Sequence, residues 1–162
     1  MDTANRVREL LSRLSAVPPR ISGAVAGWTE TQLRAKPAIS EWSAAEVFAH
    51  LRASDDILAH RVHAILVRDN PPLPAFDERR WAEVAGYAAA DFRTSFEAFA
   101  LRRAELVKML HRAALDNWQR VGAHAERGSI SVLDVVTWVV EHEDEHCAQL
   151  EALSRKTKRP SS

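Results

Sequence analysis

Two histidines, His142 and His146, stand four positions apart near the end of the chain. A helix turns by about 100° per residue, so this spacing places both imidazoles on one helical face. The same face carries apolar residues, namely Val135, Val139, Leu150 and Leu153. We therefore expect both rings to point inward, where two unpartnered imidazoles would cost free energy. A metal ion would satisfy them, because neutral imidazole is a common ligand of zinc, nickel and iron. A hydrogen-bonded core pair is the alternative.

His50 is the candidate for a third ligand, since catalytic metal sites typically have three protein ligands and one open position. It lies at the edge of an apolar stripe on a second predicted helix, formed by Val47, Leu51, Ser54, Leu58, Val62 and Ile65. We expect His60 and His63 to face solvent on the far side of that helix, and His111 to be exposed at the end of a third helix. The position of His124, in a polar loop, stays open.

The string His142-Glu143-Asp144-Glu145-His146 also fits the H-E-x-x-H pattern of zinc metalloproteases, in which the glutamate is a general base. Those enzymes take their third ligand downstream, whereas only 16 residues follow His146 and none of them is a histidine. A chain of 162 residues also leaves little room for a peptide-binding cleft. We therefore disfavour a protease.

Further residues are candidates for supporting roles. Glu143 and Glu145 flank the ligand stripe as weak candidates for a catalytic acid or base or for hydrogen bonding to a ligand imidazole, although charges on a solvated face are favoured. Gln149 is a candidate for holding a ligand or a substrate. Arg120 and His124 are candidates for binding an anionic group of a substrate, against a structural role in their loop.

A cysteine and three tryptophans also lie near these positions in the sequence or its predicted helices. Cys147 points about 100° away from His146 and is expected to be a small buried hydrophobe. Trp42, Trp118 and Trp138 are candidates for the roof of a pocket, with core packing favoured for Trp42 and Trp138.

Four long helical patterns position these residues. They cover residues 6–26, 43–68, 89–114 and 131–154. Capping signals open the second at Ser43 and the fourth at Ser131. Pro18 and Pro19 are expected to kink or restart the first helix, because proline removes a helical hydrogen bond. A short helix is plausible at 77–84, the loop 116–128 is polar, and no alternating strand is evident.

These patterns predict an all-α fold, a four-helix bundle, with one domain at 1–154 and a polar, frayed tail at 155–162. The formal net charge of zero argues against nucleic-acid binding. One cysteine excludes an internal disulfide and a cysteine-only zinc site. The chain shows no signal-peptide pattern and no apolar run near the ~18 residues of a membrane span, so we predict a cytoplasmic protein.

Four segments, taken in order, resemble the DinB/YfiT-like superfamily. They are 42–51 (WSAAEVFAHL), 70–77 (NPPLPAFD), 118–124 (WQRVGAH, followed by Gly128) and 142–150 (HEDEHCAQL). The last is similar to the family's closing H-x-x-x-H-x-x-Q pattern. The resemblance implies a four-helix bundle with a divalent-metal site, whose ligands by position are His50, His142 and His146. It also implies that a homodimer is common. Some members attach low-molecular-weight thiols to small electrophiles, or isomerise substrates with such thiols, and many have no known reaction.

The leading hypothesis is a small enzyme dependent on one divalent ion (zinc, nickel or iron) that activates a thiol for attack on a small-molecule electrophile, with a low-molecular-weight thiol as cosubstrate. A metal-dependent hydrolase that activates water is the first alternative. A non-catalytic bundle that binds metal or acts as a sensor is the second.

Overall fold

The computed structural model describes residues 2–157, with 70% of these residues in helices. The elements in chain order are α1 (Thr3–Ala24), α2 (Glu30–Arg34), α3 (Ala44–Val67), β1 (Pro72–Leu73), α4 (Glu78–Val84), α5 (Phe92–Arg112), α6 (Leu115–Trp118), β2 (Val121–His124), β3 (Gly128–Ser131) and α7 (Val132–Thr157). The long helices α1, α3, α5 and α7 form the bundle, which confirms the predicted fold class. α7 extends through Thr157, and the rest of the expected tail, 158–162, lies outside the described residues.

Both predicted capping signals begin the helices that carry the histidines. The Ser43 hydroxyl accepts a hydrogen bond from the Glu46 amide at 3.2 Å, and the Glu46 carboxylate accepts one from the Ser43 amide at 2.8 Å. Ser131 and Asp134 make the same exchange at the start of α7, at 2.9 and 3.1 Å. Each box satisfies amides that a helix start leaves unpaired, so both helices begin at defined residues.

Pro18 and Pro19 were expected to kink or restart the first helix. α1 does not restart there, because it continues through both prolines. Pro18 has no amide to donate to Leu14, the residue four positions earlier. The freed Leu14 carbonyl accepts a hydrogen bond from the buried Arg103 guanidinium instead, at 3.4 Å. A side chain from α5 therefore occupies the place that the proline leaves open.

A small sheet joins the bundle, and the expectation that the chain has no strand was wrong. β1 pairs in parallel with β2 at Pro72–Ala123, and β2 pairs antiparallel with β3. The strands have two to four residues, which is too short for an alternating pattern to register. Gly122 permits the close packing of β2 against β1, because a Cβ built there would lie 2.7 Å from Leu73 Cδ1.

The apolar core runs between the long helices, and α7 packs against both α1 and α3. Near the start of α3, the Phe48 ring lies 4.8 Å from that of Phe92 and 5.6 Å from that of Phe99. Among the helices of residues 2–157, none combines the length and apolar character needed to cross a membrane.

Candidate metal centre

Three histidine rings from two helices converge at one point. Nε2 of His50, on α3, lies 2.8 Å from Nε2 of His142, on α7. Nε2 of His146, one turn further along α7, lies 3.2 Å from the same His142 atom. All three side chains are half-buried, and their ligand atoms lie within 4.8 Å of one another. The structure thus brings together the three histidines selected from the sequence.

The spacing of these atoms is compatible with a shared metal ion. Imidazole ligands at ~2.1 Å from an ion, with coordination angles of about 90–110°, have nitrogens roughly 3.0–3.4 Å apart. The two observed distances lie close to this range. A ring nitrogen has one proton or one lone pair, so Nε2 of His142 makes only one full hydrogen bond. A metal ion would accept all three lone pairs.

The surroundings of His50 and His142 favour the neutral form of these two rings. Burial, together with the neighbouring His142, His146 and Arg79, lowers the pKa of His50 to about 4. Burial and His146 also lower the pKa of His142. Neutral imidazoles keep the lone pairs that metal binding requires. Nδ1 of His50 is buried and has no hydrogen-bond partner among the described residues.

Two side chains hold the His146 ring. The Gln149 amide oxygen accepts a hydrogen bond from Nδ1 at 3.0 Å. This bond requires a proton on Nδ1 and so leaves the Nε2 lone pair directed at the other histidines. The Trp42 ring stacks on His146, with centroids 6.1 Å apart and an angle of 18° between the planes. Trp42 also lies 5.2 Å from the His50 ring.

A cavity of about 560 Å³ lies beside this cluster, with His146, Gln149 and Trp42 in its wall. Cavities of roughly 300–1,000 Å³ are typical of small-molecule sites. Trp42 is half-buried, and it both packs against the apolar core, as preferred, and lines the cavity. Trp118 is fully buried in the core and cannot form a roof.

Glu143 is neither a solvated charge nor a residue of the histidine cluster, and both interpretations of it were wrong. Its side chain is 0% exposed. Its carboxylate oxygens accept hydrogen bonds from Arg103 at 2.5 and 2.8 Å, and the same guanidinium binds Asp55 at 2.7 Å. These two carboxylates raise the pKa of Arg103, against the lowering effect of its burial. Glu143 is therefore unavailable as the general base of an H-E-x-x-H site.

The ion pairs of α7 explain why the histidines lie at the edge of the core. Residues 136, 140, 143, 147 and 150 form the fully buried stripe of this helix, and the histidines lie one position to the side of it. On another face, the Asp144 carboxylate binds Arg13 at 2.5 Å and Arg20 at 2.6 Å, both from α1. Buried Glu143 and paired Asp144 together set the rotation of α7, which directs His142 and His146 toward α3.

The remaining candidates lie away from the cluster. Arg120 donates hydrogen bonds to the carbonyls of Ile65 and Arg68 and to the Asp69 carboxylate, so it ties its loop to the end of α3. His124 is buried, and its Nδ1 accepts a hydrogen bond from an amide of the hairpin turn that joins β2 to β3. Both contacts fit the structural alternative. Glu145 is exposed on α7.

The other histidines and the cysteine lie where the sequence predicted them. His60, His63 and His111 are exposed, as expected. Cys147 is buried as expected, and its burial raises the pKa of the thiol to about 12. The sequence interpretation missed Arg79 and Lys156, which line the cavity. No periodicity marks either residue, because each reaches the site from the exposed surface of its helix.

Comparisons with known proteins agree with this architecture. The chain is 22% identical over 156 residues to a protein of Oceanobacillus iheyensis named "Putative metal-dependent hydrolase OB0413", covering 96% of this chain and 90% of that one. It is 26% identical over 160 residues to a Geobacillus thermodenitrificans protein named "Putative metal-dependent hydrolase", covering 94% and 86%.

Among solved structures, YfiT from Bacillus subtilis superposes with a TM-score of 0.83 at 22% identity, covering 95% of this chain and 89% of that one. That protein is described as "a probable metal-dependent hydrolase with an unusual four-helix bundle topology". A family model, that of the DinB superfamily, matches residues 13–150. The chain belongs to the DinB superfamily.

Proposed function

We propose that this protein is an enzyme in which His50, His142 and His146 hold one divalent ion beside a small-molecule cavity. The convergence of the three Nε2 atoms is the observation that carries this proposal. A divalent ion held by three neutral ligands supplies a Lewis acid that turns a water or a thiol into a nucleophile near neutral pH. The reaction class we propose first is hydrolysis of a small electrophile, in line with the names of the relatives.

The residues of the chain would position the reactants. Gln149 holds the tautomer of His146, and Trp42 covers one side of the cluster and limits the access of water to it. The carboxylate of Glu78, at the start of α4, acts on His142 by raising its pKa against the effect of burial. Glu145 raises the pKa of His142 in the same direction, so both carboxylates influence the charge of this ring, whereas Glu143 is bound to Arg103.

Transfer of an external thiol is the second candidate, and the size of the cavity favours it. A volume of about 560 Å³ has room for a low-molecular-weight thiol together with a small electrophile. The thiol would have to come from outside, because Cys147 is buried and its pKa is raised to about 12. A homodimer, a cytoplasmic location and the absence of nucleic-acid binding stay predictions.

The test combines metal content with activity. Protein purified without chelator is assayed for divalent metals and then for turnover of a panel of esters, amides and lactones, with and without added thiols. We expect one ion per chain in the wild type and in His63→Ala, an exposed histidine of the same helix, and a loss of metal and activity in His50→Ala. Turnover without thiol supports hydrolysis, and turnover only with thiol supports transfer. A wild type without bound metal, with His50→Ala unchanged, overturns the proposal.

A further inference from the structure

The cavity beside the histidines has an excess of positive charge in its wall. Arg79, in the first turn of α4, and Lys156, in the last turn of α7, line it, against a single carboxylate, that of Glu41. Within residues 2–157, neither cation forms an ion pair with a carboxylate. Unneutralised cations in a concave wall attract anionic groups of small molecules.

Arg79 is held next to the histidine cluster by an aromatic contact. Its guanidinium carbon lies 5.0 Å from the centroid of the Trp42 ring, and the same ring stacks on His146. A cation over an indole face is attracted by the ring and loses freedom of movement. The planar guanidinium keeps several N–H donors free, and their fork geometry matches the two oxygens of a carboxylate.

Lys156 gives the cavity a second positive point at a distance from the cluster. It follows Gln149 by seven positions, which is about two turns or roughly 10 Å along a helix. Ala152 and Leu153 line the wall between them. From the cluster outward, the cavity thus presents the His146 ring, a partly apolar surface and an exposed ammonium group.

We propose that this cavity binds a small molecule with a carboxylate group, which Arg79 holds and Lys156 attracts from the outer wall, while its electrophilic carbon faces His146. This inference rests on the proposed function and names its substrate class. An apolar segment of the substrate would lie on Trp42 and Ala152. The single carboxylate of Glu41 does not balance the two cations, so neutral and cationic analogues should bind less well.

Calorimetry with glutarate as the probe tests the proposal without relying on turnover. The wild type is titrated at low ionic strength with glutarate and with its neutral dimethyl ester, both with and without added zinc. The same titrations are made on Arg79→Met, Lys156→Met and the double variant, which keep apolar stems. Arg80→Met is the matched control, because Arg80 lies next to Arg79 on α4 but pairs with Glu83 outside this cavity.

We expect glutarate to bind the wild type and Arg80→Met equally, each single variant to bind about tenfold more weakly, and the ester to bind none of them. The carboxylate site is overturned if the wild type holds metal but does not bind glutarate. It is also overturned if the double variant binds glutarate as tightly as the wild type does. Both results leave the proposed function standing. Protein that takes up no metal but binds glutarate through Arg79 and Lys156 overturns the proposed function alone.

Discussion

Replacing Arg103 by methionine removes the cation that joins all four long helices of the bundle. The guanidinium of this α5 residue binds Asp55 on α3, Glu143 on α7 and the Leu14 carbonyl on α1, and the side chain is 1% exposed. In Arg103→Met, Asp55 retains a neighbour, because Arg102 lies 3.5 Å from its second oxygen. Glu143 has no other cation within ion-pair distance among the described residues.

The size of the effect follows from that difference. Removing one member of a buried ion pair costs about 3–5 kcal/mol, since the remaining charge has neither water nor a partner. We expect Arg103→Met to lower the free energy of unfolding by about 4 kcal/mol. For 162 residues, at an unfolding entropy of ~2.1 cal/mol/K per residue, this corresponds to a fall in melting temperature of roughly 12 °C.

A double-mutant cycle separates the lost pair from the lost packing. Glu143→Met should cost about 3 kcal/mol, because Arg103 keeps Asp55 as a partner but loses two of its five hydrogen bonds. In Arg103→Met/Glu143→Met, the isolated carboxylate is gone and two apolar side chains fill its place. Because the unpaired carboxylate is what makes Arg103→Met costly, we expect that variant to be about 2 kcal/mol more stable than Arg103→Met alone, which gives a coupling energy of roughly 5 kcal/mol.

Urea unfolding followed by circular dichroism measures all four proteins. Single-variant costs that simply add in the double variant would refute the reasoning, because they would mean that the pair contributes no interaction energy. A cost below about 1 kcal/mol for Arg103→Met would refute it too, since that is the level of an exposed ion pair.

Three other substitutions test separate parts of the structure. Gln149→Leu removes the acceptor for Nδ1 of His146 and should weaken zinc binding by about 10–100-fold in a competition titration, with the helix content unchanged. Ser43→Ala removes the N-cap of α3 and should lower the free energy of unfolding by about 1 kcal/mol, whereas Ser43→Asp should restore most of it. Gly122→Ala places a methyl group against Leu73 and should cost about 1–3 kcal/mol in the same assay.

The histidine cluster could be predicted because helical periodicity and caps are local signals. His142 and His146 share a face by spacing alone, and Ser43 and Ser131 mark where the two helices begin. A helix wheel then orients His50 to within about one residue, or 100°. That precision was enough to select the three histidines whose rings converge in the structure.

Glu143 shows where the same reasoning fails. It follows His142 by one position, and a charged residue beside an apolar stripe normally faces water. Its burial depends on Arg103, which is 40 residues away and on another helix. The short sheet was missed for a similar reason, since pairing of β1 with β2 joins segments about fifty residues apart.

The contact between Arg79 and Trp42 could not be predicted from the sequence, because several elements form the cavity together. Trp42 precedes the cap of α3 and meets His146 only when α7 packs against α3. Arg79 reaches Trp42 from α4, across an irregular connection. No spacing along the sequence predicts either contact, so the wall of the cavity could be identified only from the structure.

The most direct test of the central claim is anomalous X-ray scattering from crystals of the protein loaded with zinc, recorded on both sides of the zinc absorption edge. We expect one peak within ~2.1 Å of Nε2 of His50, His142 and His146, facing the cavity. A peak bound elsewhere, or three rings that remain hydrogen-bonded to one another in the presence of excess zinc, would contradict it.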